Sequence, residues 1–292
     1  MMKKTHQYGV MLVLIGATLW GSSNSLEYLM TYQHFSWDTV LAIRMFVTAA
    51  VFLLISGLRG EKLLEPVKKD FFRLIRFTVL GLYTMQVPFT IAIHYSNAAT
   101  GTVLQYLMPV ILLGYYLILE RRRPHRREAV AAFLAIVGTF LIATKGEGAA
   151  LAISREALFW GILSAFGMAF YTAFAADLLH RYPTFLIIGW GSLGNALLLM
   201  VFNHPTLEGT LWTGSTFAAF GVIIVLGTLI AYTVYLESTK YIPASETGAL
   251  AAFEPLSAYA VSILFMGNHV GFVEMAGALC IMVMVWMLSK KA

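Results

Sequence analysis

A glutamate in the middle of an apolar segment is the residue of this sequence best placed to do chemistry. Glu254 lies about eight residues, or roughly 12 Å, inside the segment 246–266. A carboxylate at such a depth must be paired, hydrated or protonated. Pro255 follows it and lacks the N–H that would bond the carbonyl one turn back. Glu254 is therefore a candidate to bind a cationic substrate and to take up a proton. The alternative is a protonated glutamate that hydrogen-bonds a neighbouring helix as structural support.

An arginine occupies a similarly deep position in another apolar segment. Arg44 lies within residues 36–57, and its guanidinium must face the protein interior, water or a carboxylate. Glu27, near the end of the first apolar segment, is the candidate partner nearest in depth. One interpretation is a clamp for the carboxylate of a substrate such as an amino acid. The other, which we favour, is an interhelical or gate pair.

Polar side chains also interrupt the third and fourth apolar segments. Tyr83 and Gln86 are three residues apart and share one helical face, just before Pro88. Gln105 precedes Pro109 in the next segment. Such residues can line a cavity, or they can form ordinary hydrogen bonds between helices. Both interpretations stay open for each residue taken alone.

Several aromatic residues lie deeper than the belts expected at a membrane surface. Trp20 and Tyr171 are the clearest, and Trp190 is a weaker member of the group. Their rings could stack on an aromatic substrate or hold a cation against the ring face, or they could simply pack.

The elements that position these residues are membrane-spanning helices. The chain of 292 residues is 59% hydrophobic and 12% charged, a composition that excludes a soluble domain. Apolar runs long enough to cross a bilayer recur along the whole chain. The fold class is an all-α polytopic membrane protein with ten transmembrane helices. The predicted spans are 8–30, 36–57, 71–93, 98–119, 126–144, 156–178, 185–202, 214–236, 246–266 and 270–288.

Lysine and arginine residues alternate with the spans in a way that sets the orientation. Nearly all of them flank the spans on one side, whereas Lys145 and Arg155 fall on the other. By the positive-inside rule both termini are cytoplasmic. The net charge of +5 is thus a topology signal with a secondary role toward membrane lipids, and it does not indicate a nucleic-acid partner.

The second half of the chain repeats the first. Shifting residues 75–145 forward by 146 positions places Val79–Gly81 on Val225–Gly227 and Pro109 on Pro255. Gln86 then falls on Tyr232. Five spans are an odd number, so the second copy must cross the bilayer in the opposite direction. The predicted units are residues 1–146 and 147–292, two inverted five-helix repeats of the kind that build alternating-access carriers.

Three short segments carry a family resemblance. Residues Trp20–Asn24, Leu41–Phe46 and Phe253–Pro255 resemble the EamA family of the drug/metabolite transporter superfamily. That resemblance implies a ten-helix carrier, often an exporter of amino acids or other small metabolites. The candidate substrate-binding residues are Trp20, Asn24, Tyr83, Gln86, Gln105, Tyr171, Trp190, Tyr232 and Glu254; the candidate structural or gate residues are Glu27, Arg44, Pro88, Pro109 and Pro255.

These features together predict a secondary active or facilitative transporter, not an enzyme. The expected partners are a small-molecule substrate, membrane lipids and protons, with export across the plasma membrane of a bacterial cell, and no cofactor or metal is expected. The sequence contains no nucleotide-binding P-loop, zinc-protease helix or nucleophile elbow. The alternative is a membrane enzyme that acts on a lipid-type substrate, but the carboxylates are scattered where such an enzyme needs a cluster. Oligomeric state, substrate identity and resting conformation are left open.

Overall fold

The computed structural model describes residues 2–31, 35–96, 98–121, 123, 125–144, 154–251, 253–254, 256–257, 260 and 271–289. All regular secondary structure in these ranges is helical, as the composition predicted. The helices are α1 Met2–Thr31, α2 Trp37–Leu58, α3 Glu65–Lys69, α4 Phe71–His94, α5 Ala98–Gln105, α6 Met108–Leu119, α7 Arg126–Thr144, α8 Arg155–Leu179, α9 Thr184–Phe202, α10 Gly214–Ser238, α11 Ala244–Ala251 and α12 Phe272–Ser289.

Five helices in the described ranges are long and apolar enough to cross a membrane. They are α2, α4, α8, α9 and α10, and they confirm the spans predicted at these places. Large apolar side chains cover their outer surfaces; Leu58, Phe72 and Phe202 are 80%, 81% and 68% exposed. A soluble protein rarely shows so much apolar surface, whereas lipid accepts it.

The predicted fourth span, 98–119, is not one continuous helix. The structure ends α5 at Gln105 and begins α6 at Met108, with a turn at Tyr106 and Leu107. Pro109 is in the first turn of α6 and has no N–H for the carbonyl of Gln105, four residues earlier. The break is the physical consequence. Of the predicted ninth span, α11 and the helical residue Glu254 are described, while Pro255 and residues 261–270 lie outside the described residues.

Helix packing follows a paired pattern. The most extensive contacts join α2 to α9, α7 to α12, α4 to α8, and α1 to α10. Exchanging the two sequence halves carries the α1–α10 pair onto α8–α4. Glycines make both of these approaches close: a Cβ on Gly16 would lie 3.2 Å from the carbonyl oxygen of Ala231, and one on Gly167 would overlap the backbone of Met85. Met85 and Ala231 are 146 positions apart, which is the offset of the sequence repeat.

Both α4 and α10 contain a π-helical stretch at matching places. These are Phe77–Tyr83 in α4 and Val225–Ile230 in α10, and they overlap when the halves are aligned. π-helical turns are uncommon and frequent at functional sites. Beyond its π stretch, α4 carries Pro88 inside the helix.

Candidate functional site

The helices border a small cavity that gathers residues from distant parts of the chain. It has about 30 Å³ of space for water-sized groups, which is room for roughly two water molecules. Helices α1, α2, α4, α5, α8 and α10 and the helical residue Glu254 contribute to the wall. The lining residues are Trp20, Arg44, Met85, Gln86, Phe89, Gln105, Met168, Gly227, Tyr232 and Glu254.

The cavity wall holds one basic and one acidic side chain, and both are buried. Arg44 is 6% exposed and Glu254 is 2% exposed. The guanidinium of Arg44 donates to Oε1 of Gln86, and the hydroxyl of Tyr106 donates to Oε2 of Glu254 over 2.9 Å. Charged groups in so dry a place are expensive unless they are partnered. This arrangement is suited to a ligand that carries charge of both signs.

Of the predicted gate pair, the side chain of Arg44 lies within the described residues. Arg44 is on the cavity wall beside Gln86 of α4. Glu27 belongs to α1, but its side chain and that of Asn24 lie outside the described residues. Their roles stay predictions.

Aromatic rings also line the cavity. The ring of Trp20 lies 5.3 Å from that of Tyr232 and 4.7 Å from that of Tyr235. Tyr171 stacks behind them, 5.4 Å from Phe77, and is fully buried. Nε1 of Trp20 has no hydrogen-bond acceptor within the described residues. An unsatisfied donor on a cavity wall points to a ligand or water.

Two other predicted binding residues point to partners outside this cavity. The hydroxyl of Tyr83 donates to Oδ1 of Asn203 over 3.1 Å, and Nε1 of Trp190 donates to the carbonyl of Leu63 over 2.7 Å. Each ties two parts of the fold together. Their assignment to the substrate site stays a prediction, and the geometry supplies a structural role for both.

The sequence did not single out four of the lining residues. Met85, Phe89, Met168 and Gly227 reach the cavity although three of them are ordinary apolar residues in apolar helices. Phe89 lies three residues after Gln86, so helical spacing could have indicated it. Gly227 is needed because a Cβ there would overlap Ser23 of α1.

A charged network joins α4 to α8 at one end of the bundle. Arg73 donates to both carboxylate oxygens of Asp177 over 2.8 and 3.0 Å, and its Nε lies 3.2 Å from Asp70. The hydroxyl of Tyr182 donates to Asp70 over 2.7 Å, and Arg181 lies 3.6 Å from the same residue. Burial, together with the hydrogen bond to Asp70, raises the pKa of Tyr182 to about 12. Helices α4 and α8 are thus fastened together at this end.

The bundle combines apolar outer surfaces with a buried cavity that contains charged side chains. This combination is typical of a membrane transporter. A family model confirms that class. The chain belongs to the EamA-like transporter family, whose model matches residues 7–144 and again residues 155–290.

Relatives of known name agree with this assignment. The inner membrane transporter YicL of Salmonella typhimurium is 35% identical over 286 residues, which cover 96% of this chain and 95% of YicL. The transporter YcbK of Bacillus subtilis is 21% identical and covers 92% of this chain and 88% of YcbK. A solved crystal structure superposes with a TM-score of 0.71 at 15% identity, over 96% of this chain and 95% of the other. That last likeness shows the fold.

Proposed function

We propose that this chain is a secondary carrier that moves a small amphipathic metabolite, such as an amino acid, out of the cell by alternating access. The observation that carries the proposal is the cavity in which Arg44 and Glu254 are buried together. A zwitterion offers a carboxylate to the guanidinium and an ammonium group to the carboxylate. Charge-assisted hydrogen bonds of this kind are the strong ones.

The rest of the wall favours a particular kind of side chain on that metabolite. Phe89, Met85 and Met168 provide apolar and polarizable contacts, and Trp20 presents a ring face. A small apolar or aromatic side chain fits these surfaces better than a second charged group. The substrate class is therefore a neutral amino acid or a closely related amine-bearing acid.

The size of the cavity supports a carrier over an open channel. Room for roughly two water molecules cannot admit a metabolite without movement of the helices. The matching contacts of α1 with α10 and of α8 with α4 provide two equivalent hinges for such movement. We therefore propose ten spans in two inverted halves, residues 1–146 and 147–292, that rock about the cavity.

The charge pattern and the relatives support an orientation and a location. With both termini in the cytoplasm, the ion pair of Arg73 and Asp177, which joins α4 to α8, lies at the cytoplasmic end. YicL is named an inner membrane transporter, and we assign this chain to the same kind of bacterial membrane.

Proton coupling is assigned to Glu254. If the carboxylate binds either a proton or the substrate ammonium but not both, the two are exchanged across the membrane. Competition for one buried carboxylate turns a pH gradient into substrate flux. Exchange in this sense matches export, because protons enter as the metabolite leaves.

Flux into proteoliposomes, with and without a pH gradient, tests the proposal on a panel of neutral amino acids. We expect at least one to move faster with the gradient, and Glu254→Gln to reduce its flux to the rate without a gradient. Glu237→Gln is the matched control, because Glu237 pairs with Lys240 and Thr184 away from the cavity. No flux across the panel would contradict amino-acid transport. Full gradient-driven flux in Glu254→Gln would remove this residue from coupling.

A further inference from the structure

The hydroxyl of Tyr106 lies against two acceptors on one helical turn of the other half of the chain. It contacts the carbonyl oxygen of Ala251 and donates to Oε2 of Glu254 over 2.9 Å. Tyr106 occupies the turn between α5 and α6 and is 3% exposed, so water does not compete for the hydroxyl. A phenol carries a single hydrogen, which can satisfy only one of the two acceptors fully.

The carbonyl of Ala251 lacks the usual donor from its own helix. In a regular helix it would accept from the backbone nitrogen four residues later, and that residue is Pro255. A proline nitrogen carries no hydrogen in any conformation. A buried carbonyl without a donor is costly, and Tyr106 is the side chain placed to relieve that cost.

We propose that Tyr106 is a positioning residue that links the protonation of Glu254 to the hydrogen bonding of the Ala251 carbonyl one turn earlier. When Glu254 is ionised, Tyr106 donates to the carboxylate, because a hydrogen bond to a charged acceptor is the stronger one. When a proton binds Oε2, the new O–H of Glu254 donates to the oxygen of Tyr106, whose own hydrogen then turns to Ala251. The phenol keeps its hydrogen in both states, and the proton that enters stays on Glu254. This proposal rests on the assignment of proton coupling to Glu254.

Several titratable groups lie around Glu254 in the part of the chain that the structure describes. Arg44 of α2 and Tyr232 of α10 line the same cavity, and Tyr235 of α10 and Tyr106 interact with the carboxylate itself. The hydroxyl of Tyr235 is already shared with Thr172 over 2.7 Å. Helices α1, α4 and α8 present Trp20, Gln86 and Met168, which do not titrate.

The same turn is also fastened to α1, which is one of the helices expected to move. The hydroxyl of Ser257 reaches the carbonyl of Glu254 over 2.7 Å and the carbonyl of Ala17 over 3.2 Å. Ser257 therefore connects the turn of Ala251 and Glu254 directly to α1. Protonation of Glu254 changes whether Tyr106 donates to Glu254 or to Ala251. This change in turn alters how strongly the turn is bound to α1.

Infrared difference spectra of the purified protein in lipid nanodiscs, recorded over a pH series without ligand, test the switch. The carboxylic-acid C=O band that Glu254→Gln removes belongs to Glu254, and its amplitude gives the midpoint of protonation. We expect Tyr106→Phe to raise that midpoint by about one pH unit, because the ionised form loses the stronger bond. The band should also move to higher frequency, since the acid loses its hydrogen-bond acceptor.

The matched control is Tyr182→Phe, which removes a hydroxyl that donates to Asp70 away from the cavity. Its band and midpoint should equal those of the unsubstituted protein. If Tyr106→Phe leaves both unchanged while Glu254→Gln removes the band, the switch is wrong and coupling at Glu254 survives. If Glu254→Gln removes no band, Glu254 does not titrate and both proposals fall.

Discussion

The ion pair between Arg73 and Asp177 should control the fraction of protein in which the cavity is open toward the end of the bundle where this pair lies. Asp177→Asn removes the charge but keeps the shape of the side chain. In this variant Arg73 still has Asp70 as an acidic partner at 3.2 Å. The substitution therefore reports on the fastening of α4 to α8 with little other disturbance.

The magnitude follows from the exposure of the pair. The side chains of Arg73 and Asp177 are 37% and 45% exposed, so water screens them and the pair contributes at most about 1 kcal/mol. Since 1.4 kcal/mol is a factor of ten, the ratio of open to closed protein should rise by up to about fivefold in Asp177→Asn. High salt should produce part of the same rise without any substitution.

The assay is the rate at which a thiol reagent labels the cavity. Met168, which is 4% exposed and lines the cavity, is replaced by cysteine in a Cys280→Ser background, since Cys280 is a free thiol. The labelling rate in nanodiscs should rise with Asp177→Asn. Lys69→Gln is the control, because Lys69 pairs with Glu65 of its own helix at 2.5 Å and joins no two helices. An unchanged rate, or an equal rise in the control, would refute a gate at Asp177.

Two further substitutions probe the fold around the site. Gly167→Val should abolish the close contact of α8 with the backbone of Met85 and sharply lower the yield of folded protein in size-exclusion chromatography, whereas Gly114→Ala, with nothing within 4 Å, should not. A normal yield for Gly167→Val would show that the two helices do not need the glycine. Tyr182→Phe should flatten the alkaline loss of stability. The pKa of Tyr182 is raised to about 12 in the folded protein, so its contribution is present below pH 10 and is lost as the pH rises toward about 12. Melting curves over this range would contradict the reasoning if both proteins lost stability equally.

The helices were predictable because their signal is local. The length and apolarity of α2, α8 and α9 are visible in a single stretch of sequence, and the structure places their ends within a residue or two of the prediction. The break after Gln105 is a consequence of the missing N–H of Pro109 for the carbonyl four residues earlier. Apolarity alone predicts one continuous span there, because it does not register a missing backbone donor.

The cavity was only partly predictable because contact between helices is not local. Polar residues such as Gln86 and Glu254 stand out in apolar segments, and the cavity contains them. Met85 and Met168 look like any lipid-facing side chain, and nothing in a single helix says which way they face. Tyr83 and Trp190 stand out equally well, yet their polar atoms find Asn203 and Leu63 instead.

The repeat puts a proline at the same point of each half. Aligned at the same offset, Pro109 matches Pro255 and Gln105 matches Ala251. Neither proline has an N–H to offer the carbonyl four residues earlier. A proline at matching points suits a mechanism in which either half can bend.

The two halves differ in the side chains that can donate to these carbonyls. Tyr106 of the first half reaches across to the carbonyl of Ala251, but the residue that matches Tyr106 in the second half is Ala252, and a methyl group donates nothing. The residue that matches Glu254 is likewise Met108, which cannot hold a proton. Among the described residues, the carbonyl of Ala251 thus shares a donor with a carboxylate. With proton uptake at Glu254 as proposed, the proton would act on the second half, while the matching position in the first half holds no titratable group.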